Sequence, residues 1–151
     1  MLTNKARYGL RAMCTLASSE QEWLQASAIA ARANIPHKFL EAILVDLRRA
    51  GFVRSLRGQS GGHALAKAAT DIVIGDVIRA IDGPLAPVRC ASMTAYEPCV
   101  DCADPEQCAM RELMRETRAA VSGVLDQCTL QTLTHRSSEE AWMQSRAGGE
   151  R

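Results

Sequence analysis

Four cysteines, Cys90, Cys99, Cys102 and Cys108, fall within nineteen residues in the stretch CASMTAYEPCVDCADPEQC. Folded proteins crowd thiols this densely when something binds them: disulfides in a small exported domain, a metal or an iron–sulfur cluster in a reducing compartment. Four thiolates complete either a 2Fe–2S or a 4Fe–4S centre, and zinc accepts four as well. The spacing C-x8-C-x2-C-x5-C contains a single short C-x2-C knuckle. Structural zinc sites more often pair two such knuckles, so spacing favours the cluster, with zinc and a metal-free thiol switch as alternatives. The acidic neighbours Glu97, Asp101, Asp104 and Glu106 read as a solvated loop, with Asp104 or Glu106 placed to favour the dipole of a following helix.

Composition chooses between these chemistries. Lys5, Arg7 and Arg11 interrupt the apolar stretches at the N-terminus, which argues against a signal peptide. No apolar run reaches the length of about eighteen residues that a membrane helix needs. The expectation is a cytoplasmic protein with no membrane partner, where thiols stay reduced. At 151 residues and 47% hydrophobic content, one core-forming domain is expected. The net charge of +1 hides an asymmetry: residues 1–70 hold ten Lys/Arg against four Asp/Glu, and residues 71–151 hold eight against thirteen. A basic half joined to an acidic half suggests a nucleic-acid-binding part and a part with another task.

The elements that must position the cysteines can be read from apolar spacing. A helix is expected over 5–18, with Tyr8, Ala12, Met13 and Leu16 on one face. Ser27 is placed to cap a short second helix ended by Asn34, Ile35 and Pro36. A third helix over about 37–50 carries Leu40, Ile43, Leu44, Leu47 and Ala50 as a core stripe, and Gly51 stops it. Residues 52–56 and 63–65 alternate like strands around the turn Arg57-Gly58-Gln59-Ser60-Gly61-Gly62. Thr70 or Asp71 can cap a fourth helix through Ile74, Val77, Ile78 and Ile81, ended by Asp82-Gly83-Pro84. A long helix over about 105–127 follows the cysteines, with Met110, Leu113, Thr117, Ala120, Val121, Val124 and Leu125 on one side. That side suits a core or a dimer interface equally. The segment from Ser137 onward is Ser-, Glu- and Gly-rich and reads as a frayed tail.

Three helices and a two-stranded hairpin, with a tight turn between the second and third helices, describe a winged helix-turn-helix. The fold class expected is mainly α with a small β-hairpin. Helix three would enter a major groove of double-stranded DNA. On its face away from the core stripe, His37, Lys38 and Glu41 lie near the end that meets base edges. Lys38 can bond guanine and Glu41 can accept from cytosine N4, while Arg48 and Arg49 suit phosphates. In the wing, Arg54, Arg57, Gly58, Gln59 and Ser60 are the candidate contacts. Arg57 stands among residues without side chains, so the backbone can approach DNA and the guanidinium can enter a narrow minor groove.

The segments MLTNKARYGLRAMCTLA, IPHKFLEAILVDLRRAGFV, and RGQSGGHALA followed by IVIGDVIRAIDGP resemble the IscR/NsrR/RirA-type winged-helix transcriptional regulators, over about residues 1–135. The resemblance implies a DNA-binding domain over 1–83, a cysteine loop over 84–108, a dimerisation helix within 105–135 and a flexible tail over 136–151. It implies a homodimer on a palindromic operator and an iron–sulfur cluster held by three cysteines of this loop and one outside ligand. Cys90, Cys102 and Cys108 match the trio. Where IscR-like members carry a histidine, three residues after the last cysteine, this chain has Arg111. Where NsrR-like members offer an N-terminal aspartate, it has Arg7. Arginine stays protonated and does not ligate, so Cys99, additional to the trio, is assigned as the fourth ligand.

The remaining residues offer little catalytic chemistry. There is no nucleophile–base pair, no phosphate loop after a strand and no cofactor fingerprint; the wing glycines join strand to strand. The chain is expected not to be an enzyme and to take no small-molecule substrate. Cys14 reads as buried packing. Cys128 reads as packing or as an intersubunit or redox thiol. His63 reads as packing within the wing, and His37 and His135 have no partner spacing for catalysis. A redox-sensing transcriptional regulator, such as a repressor, follows: loss or oxidation of the cluster would change operator affinity.

Overall fold

Apolar spacing in the first third of the chain produces three helices, α1 (Asn4–Ala17), α2 (Ala26–Ala33) and α3 (His37–Arg49), in the computed structural model, which describes residues 2–137. α1 is the central post. It buries Ala6, Gly9, Ala12, Met13 and Leu16 against α2, α3 and a fourth helix, α4 (Ile74–Asp82). Thr3 caps it, its hydroxyl accepting from the Ala6 amide at 3.1 Å. α2 starts at Ala26 with Gln25 in the cap position and no side-chain cap bond, so Ser27 lies inside the helix. The reason is tertiary. Leu24 exchanges two backbone bonds with His63 in the wing, at 3.0 and 2.7 Å, and this pairing draws the chain out extended up to Gln25. Asn34 then ends α2 in the left-handed region, at φ 50°, a conformation asparagine tolerates.

α3 buries Leu40, Ile43, Leu44 and Leu47, each no more than 2% exposed, as its spacing predicts. Ala50, the last member of the expected stripe, is instead the exposed C-cap. Strands β1 (Val53–Leu56) and β2 (Gly62–Leu65) pair antiparallel with Val53 opposite Leu65 and Leu56 opposite Gly62. This is a winged helix-turn-helix fold, with the hairpin as the wing.

Two departures follow the wing. Thr70 and Asp71 fall in a single 3-10 turn, Ala69–Asp71, and the extended Val73 is the N-cap of α4. Ile72 and Val73 stay extended because they pair with a later turn: the Leu130 amide donates to the Ile72 carbonyl at 2.8 Å, and the Ile74 amide to the Cys128 carbonyl at 2.9 Å. The long helix expected from 105 begins at Ala109. Pro105–Gln107 is a separate 3-10 turn capped by Asp104, and Cys108 caps α5 (Ala109–Leu125). After Asp126 the chain turns into α6 (Leu130–Ser137), so the segment 105–135 holds two helices. α6 packs back on α1 and seats Leu130 at 0% exposure in the core. α5 buries no residue at all. Of the expected tail, residues 136 and 137 finish α6, and the rest lies outside the described residues. Among the described residues no helix is long and apolar enough to cross a membrane.

Candidate nucleic-acid interface and cysteine loop

The face of α3 opposite its buried stripe is open. His37 and Glu41 stand one turn apart at 3.8 Å, both well exposed. Between them Lys38 sits with its ammonium 5.2 Å from the Phe39 ring centroid, beside a half-exposed Phe39. Arg48 and Arg49 are exposed in the last turn, where cations also favour the helix dipole; Arg49 has only a loose 3.9 Å pairing with Asp46. The same helix thus presents three polar groups at its N-terminal end and two guanidinium groups at the other.

The wing is braced rather than loose. Gln25, just before α2, donates from its side-chain amide to the Gly61 carbonyl at 2.8 Å and to the Gln59 carbonyl at 3.4 Å. Gly58 has φ +107° and open space around it, so this glycine serves the turn's backbone. Gly62 answers both demands: its φ is +145° and a β-carbon there would overlap the Leu24 carbonyl. Arg57, Gly58, Gln59 and Ser60 are all exposed at the tip. Ser55 and His63 meet across the hairpin at 2.9 Å. Burial, and then the nearby Arg48 charge, holds the His63 imidazole towards its neutral form. Arg54 departs from the other candidates. Its guanidinium donates to the Leu65 carbonyl and to Glu22 and lies 4.5 Å from the Trp23 ring centroid, so it is engaged in holding the wing's base.

The cysteine loop leaves α4 at Gly83-Pro84 and rejoins the helical part at α5. Cys90 is buried, Cys102 and Cys108 are half-buried and Cys99 is exposed. The thiols interact in pairs. Cys99 is raised first by its hydrogen bond to Cys90. Cys102 is raised first by desolvation and then by Cys108. Cys108 goes the other way. Its sulfur accepts from the Arg111 amide at 3.5 Å, and that backbone bond is the largest cause of its lowered pKa. The start of α5 therefore biases one of the four towards the thiolate that binds metals. Charge coupling also links Cys90 to Cys102 and Cys99 to Cys102. The donor set suits a thiolate-ligated group. Even so, among the described residues no three His, Cys, Asp or Glu side chains stand as a ready metal-binding group.

Arg111 and Arg118 are the residues that sequence reasoning missed here. Arg111 donates to the carbonyls of Cys90 and Pro105, both at 3.0 Å, and pairs with Glu106 at 2.7 Å. Arg118 donates to the Ala91 carbonyl at 2.5 Å. Spaced two turns apart on α5, they tie both ends of the loop to the helix. Arg7 lies exposed on α1, bonded to Asn4 at 3.2 Å.

Comparison with known proteins agrees with this architecture. A family model, Rrf2, described as an iron-dependent transcriptional regulator, matches residues 2–136. A Rhodobacter capsulatus protein, named as rrf2-like and HTH-type, is 42% identical over 137 residues, covering 88% of this chain and 91% of its own. The solved structure of CymR, the global cysteine regulator of Bacillus subtilis, superposes with a TM-score of 0.74 at 35% identity, over 91% of this chain and 98% of that one. T. potens IscR superposes with a TM-score of 0.70 at 27% identity, over 93% and 90%. These relatives are regulators of transcription, not enzymes. The chain belongs to the Rrf2 family of DNA-binding transcriptional regulators.

Proposed function

We propose that this chain is a homodimeric regulator whose operator affinity is set by an iron–sulfur cluster, 2Fe–2S or 4Fe–4S, held by Cys90, Cys99, Cys102 and Cys108. The observation that carries the reading is the loop itself. Four thiols stand within nineteen residues, on a segment tied by Arg111 and Arg118 to α5. The description of the family as iron-dependent and the likeness to IscR support it.

The parts then have distinct tasks. Residues 1–83 form the DNA-reading head, with His37, Lys38 and Glu41 at base edges, Arg48 and Arg49 at phosphates, and Arg57, Gly58, Gln59 and Ser60 at the wing. Arg54 contributes by fixing the wing's base. Residues 84–108 hold the cluster. α5 forms the dimer seam: Met110, Leu113, Val121 and Val124 are 40–69% exposed along one helix, and an unburied apolar stripe of this kind asks for a partner. Two heads on a two-fold axis fit a palindromic operator with half-sites about one helical turn, or a multiple of it, apart. When bound, the cluster supplies a redox- and iron-sensitive crosslink between the loop's cysteines. The chain's own residues deliver the response by holding the loop against α5. A cytoplasmic location suits the reduced thiols.

The test is operator titration with the same protein in two forms, cluster-loaded without oxygen and stripped. A shift in affinity between the forms supports the reading. Equal affinity in both removes the sensor role.

A second reading, a metal-free thiol switch, is favoured by the lack of a ready metal group among the described residues and by the likeness to a cysteine regulator. Colourless protein carrying neither iron nor zinc, with an affinity that follows thiol oxidation, would select it. Stoichiometric zinc would select a structural zinc site.

A further inference from the structure

The head and α5 meet at one polar joint. Arg79, on α4, donates two parallel bonds to Asp126, Nη1 to Oδ1 and Nη2 to Oδ2, each 2.8 Å long. Asp126 is the C-cap of α5. A third bond from Arg79 reaches Asp76 at 3.1 Å, on its own helix. Bidentate pairing of this kind fixes direction as well as distance. The approach needs Gly75: a β-carbon there would overlap Asp126 Oδ1 and come within 2.9 Å of Arg79 Nη1.

Beside this joint Leu125 of α5 is half-buried and packs against the head's core. A cavity of about 450 Å³ opens between α4, the cysteine loop and α5, with Arg79, Asp126, Ser92, Met93 and Arg118 in its walls. The backbone bonds between Ile72–Ile74 and the turn at 128–130 act as a pivot just beyond α5. On the pivot alone, α5 could swing towards or away from the cavity. The guanidinium–carboxylate fork adds a directional tie between the end of α5 and α4, and α4 packs against both α1 and α3.

We infer that Arg79 and Asp126, admitted by Gly75, are positioning residues that fix the angle between the DNA-reading head and the dimer helix, and thereby the spacing of half-sites that the dimer accepts. This rests on the dimeric-regulator reading above. Neither residue touches DNA in this role.

The test uses the full chain and duplexes enriched from a random pool by the unaltered protein, from which a palindrome, an isolated half-site and palindromes with one base pair inserted or removed are made. Asp126→Asn breaks the charged fork. Gly75→Ala pushes the carboxylate aside while keeping both charged groups. Each is expected to weaken binding to the palindrome roughly tenfold, leave half-site binding within about twofold, and flatten the spacing preference. Arg79→Lys keeps the charge without the fork and is expected to flatten it as well. If the variants remain folded with unchanged spacing preference, or lose palindrome and half-site binding equally, the inference is overturned. If the unaltered protein itself shows no preference for a palindrome over a half-site, the dimeric reading fails, and the spacing role with it.

Discussion

The head and the cysteine-bearing half of this molecule are built on opposite principles. In the head, α1 to α4 and the wing close around Met13, Ile29, Leu40, Leu47, Val53 and Val77, all 2% exposed or less. In the other half, α5 runs from Ala109 to Leu125 without burying a residue, and the loop before it is held by arginine bonds to backbone carbonyls. The cysteine-bearing half presents an exposed apolar stripe and four thiols. Regions with few buried apolar contacts open at low free energy and are where switching elements are drawn from. α6 joins the two halves, since it follows α5 in sequence and yet packs in the core of the head.

The strongest test of this contrast is a matched pair of truncations. Leu47→Ala removes a fully buried side chain from the head and is expected to cost about 2–5 kcal/mol in denaturant unfolding. Val124→Ala, on the exposed stripe of α5, is expected to cost less than about 0.5 kcal/mol in dilute monomer, yet to weaken self-association in sedimentation. Similar losses in monomer stability would erase the distinction between the halves.

Within the head, DNA contact is separable from fold. Lys38→Ala or Glu41→Ala should change base preference at one position by about 1–3 kcal/mol. Arg57→Ala should weaken binding and reduce its dependence on the sequence under the wing. Equal losses on selected and random duplexes for all three would argue against base readout. Arg54→Ala should lower thermal stability as well as DNA affinity, because its partners are Leu65, Glu22 and Trp23.

In the loop, Arg111→Ala removes bonds to Cys90, Pro105 and Glu106. With about 1 kcal/mol for a typical hydrogen bond, local opening should become easier by about 1–2 kcal/mol. Alkylation of the loop thiols should then run roughly tenfold faster with the unfolding midpoint of the head little changed. An unchanged alkylation rate would show that the brace does not order the loop.

The smallest effect concerns pH. The Arg79 guanidinium holds the Asp126 carboxyl below its ordinary range, and Lys5 does the same for Asp46. A carboxyl with a lowered folded-state pKa adds stability that is present above its unfolded value, about 3.9. That stability is lost as pH falls through the folded value. Stability should therefore fall with acidification below about pH 4, and Asp126→Asn should flatten that slope. An identical acid slope in the variant would contradict the pairing.

Local pattern made much of the head legible. The stripe of α3, the strands flanking the wing turn and the end of α2 at Asn34 all follow from short-range spacing and residue type. What escaped depended on distant partners. The capping role assigned to Ser27 gave way because Leu24 pairs with His63. The caps assigned to Thr70 and Asp71 gave way because Ile72 and Ile74 bond to the turn at 128–130. α6 lies beyond the helix expected over about 105–127; its apolar content is short, and only the fold shows Leu130 reaching the core. In the loop the cysteines were plain from type and spacing, whereas Arg111 looked only like a position unable to ligate. Its actual work, bridging to Cys90 from twenty-one residues away, is invisible to local pattern. Arg54 adds a partner set that local pattern does not show: Leu65, Glu22 and Trp23 meet its guanidinium at the wing's base.

The most direct test of the central claim is the visible and Mössbauer spectrum of the full chain purified without oxygen, beside that of Cys99→Ser. A brown protein is expected, with an iron–sulfur signature that is lost or altered when Cys99 is replaced. A colourless protein, or a cluster spectrum unchanged by Cys99→Ser, would contradict the assignment of a four-cysteine cluster site.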